Sequence, residues 1–332
     1  MTMEKRPFGQ NKFAVTPIGL GLAALGRPGY INLGHGRDLP AGHDPADMEA
    51  QAHAVLDAAW AAGIRYFDAA RSYGQAEAFL SSWLRQREIP ATAVSIGSKW
   101  GYTYTANWQV ALPDGQKHEV KEHSRPVLQR QIKESKGLLG NHLKLYQIHS
   151  ATLDSGVLDN QPVLAELARL QETGLAIGLS VSGPNQAETI WRALDIAPNG
   201  RPLFSSIQAT WNLLETTATT ALQAVHDAGW GVIIKEALAN GRLTPRNDDP
   251  ALQDLLTLAA DQQTTVDALA LAAVLHQPFV AVVLSGAARI DHLYSNLQAL
   301  TLSWHDELAQ ATQDLAEPAA VYWQKRSQLA WN

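Results

Sequence analysis

Short apolar, β-branched runs alternate with longer amphipathic segments along almost the whole chain. Nearly continuous hydrophobic runs are typical of parallel strands that helices cover on both faces. At three junctions a glycine, Gly63, Gly174 or Gly229, ends a helical segment directly before an apolar run. The alternation therefore predicts an α/β fold with eight parallel strands, over residues 15–22, 64–69, 94–99, 144–149, 175–180, 204–208, 231–235 and 280–285.

Eight strand–helix units match a (β/α)8 TIM barrel, and 332 residues suit one barrel domain over residues 1–332. An open, doubly wound sheet is the alternative, because the number of strands does not prove that the sheet closes. Ser124 is placed to cap one helix, and Pro162 lies in the first turn of another. A helical segment at residues 304–315 follows the eighth unit and predicts an extra C-terminal helix.

Composition favours small-molecule chemistry. The net charge of −6 offers no basic surface for nucleic acid, and no apolar stretch is long enough for a membrane span. The absence of cysteine excludes disulfides, thiolate metal sites and a cysteine nucleophile, and it fits a cytoplasmic enzyme. No HxxxH pair, GxSxG elbow or GxGxxG loop follows a strand, which disfavours metal-dependent hydrolysis, serine hydrolysis and a Rossmann cofactor site.

Polar side chains end three consecutive predicted strands. These are Asp68, Lys99 and His149, and Tyr73 follows five residues after the first of them. Because strand ends converge at one mouth of a barrel, we expect the four side chains to be neighbours. Asp68 would keep Lys99 charged, and Lys99 would lower the pKa of Tyr73, which could then protonate a carbonyl oxygen as hydride arrives. His149 would orient the substrate. A purely structural Asp–Lys ion pair is the alternative.

Two long segments leave the carboxyl ends of predicted strands. Residues 26–47 are rich in Gly, Pro and His, and residues 100–123 carry Tyr102, Tyr104 and Trp108. Barrel enzymes build their active sites at this end, so we expect both segments to border a substrate pocket. Solvent-exposed loops without function are the alternative.

The segment GIRYFDAARSYGQAE, residues 63–77, resembles the signature of the aldo-keto reductases. The resemblance continues through SKW (98–100), LKLYQIHS (143–150), IGLSVSG (177–183), SIQATWNLLE (206–215) and VLSGAARIDHLYSNLQA (283–299). RPFGQNKFAVTPIGLG (6–21) resembles the family's N-terminal hairpin and first strand. The resemblance implies hydride transfer between a nicotinamide cofactor and a carbonyl or alcohol group of an aldehyde, ketone or aldose. It assigns the catalytic tetrad to Asp68, Tyr73, Lys99 and His149.

The same resemblance implies NADP(H) as the cofactor, with NAD(H) as the alternative, and a small carbonyl or sugar as the substrate. It assigns Ser180 and Gln208 to the nicotinamide carboxamide. Arg289 is the cation that we expect to bind the 2′-phosphate, which makes NADPH bind tighter than NADH. The cofactor positions it implies are Gly21, Leu22, Asp68, Ser180, Gln208, Lys235, Leu238, Gly286, Ala287, Ala288, Arg289 and Asn296.

Three positions depart from the family pattern. Val181 stands where an Asn usually follows the serine, so one carboxamide contact is lost or moved to Ser182. Strand seven ends in Lys235 rather than in an aromatic residue that stacks on the nicotinamide. His292 occupies the position that often carries an arginine for the 2′-phosphate. A non-catalytic, nicotinamide-binding regulatory subunit is the alternative function, although pure binding requires no proton donor.

Overall fold

The computed structural model describes residues 3–39 and 42–332. Eight parallel strands hydrogen-bond in chain order and the last pairs with the first, so the sheet closes into a (β/α)8 barrel. The open-sheet alternative is therefore wrong. The strands are β1 (Ile18–Gly21), β2 (Tyr66–Asp68), β3 (Ser95–Trp100), β4 (Leu143–Ala151), β5 (Ala176–Val181), β6 (Ser206–Thr210), β7 (Gly231–Lys235) and β8 (Val282–Ser285).

The helices start and stop where local sequence favours it. The Ser124 hydroxyl accepts a hydrogen bond from the Val127 amide at 3.4 Å, as expected of an N-cap. Gly63, Gly174 and Gly229 all have positive φ, of 95°, 88° and 84°, where they end helices. The helices are α1 (Pro45–Ala61), α2 (Ala76–Gln86), α3 (Arg125–Leu139), α4 (Gln161–Glu172), α5 (Gln186–Leu194), α6 (Thr219–Asp227), α7 (Gln253–Asp261), α8 (Val266–Leu275), α9 (Ile290–Leu297), α10 (Asp306–Thr312) and α11 (Ala319–Ser327).

Both additions to the barrel that the sequence predicts are present. Arg6–Pro7 pairs with Ala14–Val15 as an antiparallel N-terminal hairpin. Its Phe8 is buried with side chains of four barrel strands, so the hairpin covers the amino end of the barrel. The extra C-terminal helix is α10, and α11 is a second one that the sequence pattern did not predict. No helix in the described ranges is both long and apolar enough to cross a membrane.

Both long loops lie at the carboxyl end of the barrel, as predicted. The cavity at that end is lined by Arg27, Tyr30 and Asp38 from the first loop and by Glu119 from the second. In the second loop, Tyr102–Tyr104 pairs antiparallel with Glu119–Lys121. Pro40 and Ala41, which belong to the first loop, lie outside the described residues.

Gly97→Ala should destabilise the protein by about 1–3 kcal/mol, because overpacking a filled core costs that much. A Cβ at Gly97, inside β3, would overlap the hydroxyl of Tyr66, which is fully buried and has no space to move away. Urea unfolding of both proteins measures the difference. Gly137→Ala is the matched control, since Gly137 lies on α3 with open space around it and should lose no stability. An unchanged midpoint for Gly97→Ala would mean that the barrel interior is looser than described.

Candidate active site

The centre of the barrel mouth is an ion pair between neighbouring strands. Asp68 ends β2 and pairs with Lys99 of β3, and their side chains are 2% and 0% exposed. Lys99 Nζ also donates to the Ala69 carbonyl oxygen at 3.0 Å. Gln208 Nε2 and the Tyr66 hydroxyl donate to the Oδ2 atom of Asp68, at 3.0 and 3.3 Å. The Asp68 carboxylate is therefore fully held, and it fixes the Lys99 ammonium in turn.

Tyr73 and His149 complete the group that the strand ends predict. The Tyr73 ring centroid lies 5.0 Å from Lys99 Nζ, and it meets the imidazole of His149 edge to face with ring centroids 5.5 Å apart. His149 Nδ1 lies 3.4 Å from the Ser72 hydroxyl. The four side chains are neighbours, as the sequence predicts, and their catalytic roles stay a prediction.

The protonation states of the tyrosine and the histidine follow from burial. Burial and the nearby Asp68 carboxylate raise the pKa of Tyr73 well above its usual value. This differs from the expectation that Lys99 lowers that pKa, because burial of the phenol and the nearby Asp68 carboxylate both raise it. Burial, with Lys99 and Arg27 nearby, lowers the pKa of His149 well below its usual value. The site therefore presents a protonated phenol beside a neutral imidazole at pH 7.

A cavity of about 510 Å³ opens over this group, within the range of small-molecule and cofactor pockets. Leu22 and Ser180 are buried behind its wall, and the Ser180 hydroxyl accepts a hydrogen bond from the Ser150 amide at 2.8 Å. Ser182 lines the cavity, whereas Val181 is buried in the core. Of the implied cofactor positions, Gly21, Asp68, Gln208, Lys235, Leu238, Gly286, Ala287, Ala288 and Asn296 line the cavity.

Arg289 does not lie on this lining. Its guanidinium forms a two-point ion pair with Asp291 at the protein surface, with nitrogen–oxygen distances of 2.9 and 3.0 Å. The expected contact with a 2′-phosphate stays a prediction, and it would require Arg289 to leave Asp291.

Arg27 is a buried cation of the mouth that the sequence reasoning missed. Its guanidinium lies 5.3 Å from the Tyr73 ring centroid and 4.6 Å from that of Trp331, and it pairs with Glu119 at 2.8 Å. The C-terminal tail is held across the mouth, because the Tyr30 and Asn332 backbones exchange hydrogen bonds of 3.1 and 3.2 Å. Neither contact has a signature in local sequence, since both join segments that are distant along the chain.

A second charged cluster lies at the end of β7. Arg326 from α11 donates to both oxygens of Glu236, and the Thr210 hydroxyl donates to one of them at 3.1 Å. Lys235 Nζ donates to the Thr210 hydroxyl at 2.8 Å and lies 3.9 Å from Glu236. The pKa of Glu236 is lowered to about 2, since Arg326 and Lys235 outweigh its burial. Burial lowers the pKa of Lys235 to about 8.

Comparison with known proteins identifies the family. A sequence profile of the aldo/keto reductase family matches residues 17–317. The chain belongs to this family. It is 22% identical over 321 residues to the uncharacterized oxidoreductase YqkF of Bacillus subtilis, with 90% of this chain and 91% of that protein covered. It is 27% identical over 332 residues to protein tas of Escherichia coli, with 83% and 90% covered.

Solved structures agree on the fold of this aldo/keto reductase. The holo form of aldo-keto reductase AKR11C1 from Bacillus halodurans superposes with a TM-score of 0.70 at 24% identity. The match covers 96% of this chain and 97% of that one. At this identity the likeness establishes the barrel fold, and the chemistry has to be argued from the site itself.

Two polar atoms without hydrogen-bond partners among the described residues indicate that the cavity of this aldo/keto reductase is suited to a polar ligand. Arg27 Nε and Asn240 Oδ1 belong to lining residues, are buried, and have no hydrogen-bond partner among the described residues. A buried polar atom without a hydrogen bond costs free energy, so a bound group that forms hydrogen bonds with these two atoms is favoured. Gly286 and Ala288 line the cavity just before α9, and helix N-termini favour phosphates. The residues present fit a nicotinamide dinucleotide. The described ranges contain no group of three or more potential metal ligands.

The Glu236 pKa implies a measurable acid sensitivity. A carboxyl with a folded pKa near 2 and an ordinary value of 4.5 adds stability above pH 4.5, which is lost as the pH falls toward 2. Between pH 7 and pH 3, Glu236→Gln should therefore lose about 2 kcal/mol less unfolding free energy than the unaltered protein. Urea unfolding at both pH values measures this. Glu307→Gln, with a side chain 95% exposed, should behave like the unaltered protein. Equal acid sensitivity in all three proteins would show that Arg326 does not stabilise the Glu236 carboxylate.

Proposed function

We propose that this aldo/keto reductase transfers hydride between a nicotinamide dinucleotide and the carbonyl or alcohol group of an aldehyde, ketone or aldose. Tyr73 is the general acid of reduction and the general base of oxidation. The observation that carries the proposal is the position of Tyr73 at the cavity, with its ring centroid 5.0 Å from Lys99 Nζ and its ring edge to face with His149. A phenol that is protonated at pH 7 in this position can donate its proton to a bound carbonyl.

Each side chain of the group has a distinct task. When bound, the nicotinamide supplies the hydride. The Tyr73 hydroxyl donates its proton to the carbonyl oxygen. The negative charge that develops on the Tyr73 oxygen is then stabilised by the Lys99 ammonium. Asp68 keeps Lys99 charged and in place through their ion pair. Neutral His149 offers a hydrogen bond that orients the carbonyl oxygen toward the phenol.

The cofactor is NADP(H) by the sequence resemblance, with NAD(H) as the alternative, and either would use the same nicotinamide half. Gln208 and Ser182 are the lining side chains that suit the carboxamide, whereas Ser180 is engaged behind the wall. Gly286 and Ala288 line the cavity beside the start of α9 and would offer backbone amides to the phosphates, whereas the Ala287 amide donates to the Ser285 hydroxyl at 3.3 Å.

Oxidation of NADH and NADPH in the presence of aldehydes, ketones and aldoses tests the proposal, followed by isolation of the alcohol product. We expect turnover with at least one carbonyl of the panel in proportion to enzyme. Tight cofactor binding without turnover of any carbonyl would favour the non-catalytic regulatory subunit instead. The complete group of Asp68, Tyr73, Lys99 and His149 argues against that alternative, because a binding protein has no use for a proton donor.

A further inference from the structure

A buried carboxylate faces the part of the cavity that lies beside α9. Asp38, on the loop after β1, lines the cavity and has a side chain only 3% exposed. Arg246, on the loop after β7, grips both of its oxygens, with Nη1 2.9 Å from Oδ2 and Nη2 bound to Oδ1. Nη1 also donates to the carbonyl oxygens of Leu33 and Gly34, at 3.1 and 3.0 Å. The charge of Arg246 is therefore already matched.

The backbone of Asp38 is tied to the start of α9. Gln51 Nε2 donates to the carbonyl oxygens of both Asp38 and Ala288, at 2.6 Å each. His292, on α9, lies with its Nε2 3.3 Å from Arg246 Nη2 and its Nδ1 3.9 Å from Asp38 Oδ1. Arg246 thus holds the Asp38 carboxylate, and Gln51 holds the Asp38 backbone, at this edge of the cavity.

The position of this carboxylate decides which end of a dinucleotide it meets. His149 lies on β4, which is four strands away from β8 and its following helix α9 in the closed barrel, and Tyr73 packs against His149. These two side chains would hold the reacting nicotinamide. Gly286 and Ala288 line the cavity just before α9, and their backbone suits the phosphates. The remaining half of the cofactor, the adenosine and its ribose, therefore lies against α9 and Asp38.

NAD(H) and NADP(H) differ only on this ribose, which carries a hydroxyl in one and a phosphate in the other. A hydroxyl can donate to the Asp38 carboxylate while Arg246 stays in place. A 2′-phosphate would have to take Arg246 away and leave a buried carboxylate unpaired beside its own negative charge. The loss of a buried pair outweighs the gain from one charge-assisted hydrogen bond.

We propose that Asp38, held by Arg246, makes this aldo/keto reductase prefer NADH over NADPH by accepting a hydrogen bond from the adenosine ribose and repelling a 2′-phosphate. The inference rests on the proposed function, which concerns the nicotinamide half of the same cavity. It chooses the cofactor that the family resemblance ranked second, since the cation expected to bind the phosphate, Arg289, is paired with Asp291.

Calorimetric titration of the full-length protein with NADH and with NADPH tests the proposal. We expect the unaltered protein to bind NADH tighter by about tenfold or more, and Asp38→Asn to reduce that ratio by about tenfold, mainly through tighter NADPH binding. Asp57→Asn is the matched control, because Asp57 forms a similar two-point pair with Arg87 away from the cavity and should leave the ratio unchanged.

A second measurement needs no substitution and guards against misfolding of the Asp38 variant. ADP-ribose and its 2′-phosphorylated form compete with bound NADH for the unaltered protein, and we expect the unphosphorylated compound to compete better. Tighter NADPH than NADH, with Arg289→Ala selectively weakening NADPH, would overturn the inference and leave the proposed function intact. An unchanged ratio in a folded Asp38→Asn would overturn it as well. Binding of neither cofactor would instead overturn the proposed function.

Discussion

Tyr73→Phe should retain cofactor affinity and lose turnover by roughly two or more orders of magnitude, the range that general acid catalysis supplies. The substitution removes only a hydroxyl, and it does so at a residue that lines the cavity. The phenyl ring keeps its edge-to-face contact with His149 and its position beside Lys99. The loss should therefore fall on kcat, which steady-state kinetics and a separate cofactor titration resolve.

The control for this variant is Tyr294→Phe, which removes a phenol that is 52% exposed and lies away from the barrel mouth. We expect it to retain full turnover. If Tyr73→Phe also keeps near-normal kcat while binding cofactor, Tyr73 is not the proton donor, and the four clustered side chains are a structural ion pair with two packed neighbours.

Lys99→Met should cost about 3–5 kcal/mol of unfolding free energy, because it leaves the buried Asp68 carboxylate without its cation. It should also lower turnover by about two orders of magnitude, since no ammonium then stabilises the developing phenolate of Tyr73. Urea unfolding and steady-state kinetics measure the two effects separately.

The double variant Asp68→Asn with Lys99→Met separates structure from chemistry. Removing both charges should recover most of the stability that Lys99→Met loses, because no unpaired buried charge remains. Turnover should stay low, since the missing ammonium is not replaced. If Lys99→Met were as stable as the unaltered protein, Lys99 would not compensate a buried Asp68 charge. An active double variant would contradict the role of Lys99 in catalysis.

The barrel and the meeting of Asp68, Lys99 and His149 could be predicted because both depend on short segments. Each strand is an apolar run, and each polar residue stands at the end of one. The first run was placed too broadly, at residues 15–22. Pro17, which has no amide to donate, separates the hairpin strand from β1. Tyr66 could also have been found, because it precedes Asp68 by two positions and side chains two apart share a face of a strand.

The outer part of the site could not be predicted from the same patterns. Arg27, Asp38 and Arg246 stand on long loops without periodicity, and Arg326 and Trp331 belong to a C-terminal region beyond the eighth unit. Their partners are set by how the loops and the tail fold across the mouth. The direction of the Tyr73 pKa shift was also predicted wrongly, as a lowering by Lys99. The burial that raises this pKa is a property of the assembled site and cannot be seen in the local sequence.

Transfer of deuterium from a cofactor labelled at the nicotinamide C4 position tests the central claim most directly. The protein is incubated with NADH or NADPH in which deuterium replaces both C4 hydrogens and with a carbonyl that it turns over, and the alcohol is analysed by mass spectrometry. We expect one deuterium on the carbon that was the carbonyl carbon, and a product yield that falls with Tyr73→Phe. An alcohol without deuterium, or no alcohol from any carbonyl although the cofactor binds, would contradict hydride transfer at this site.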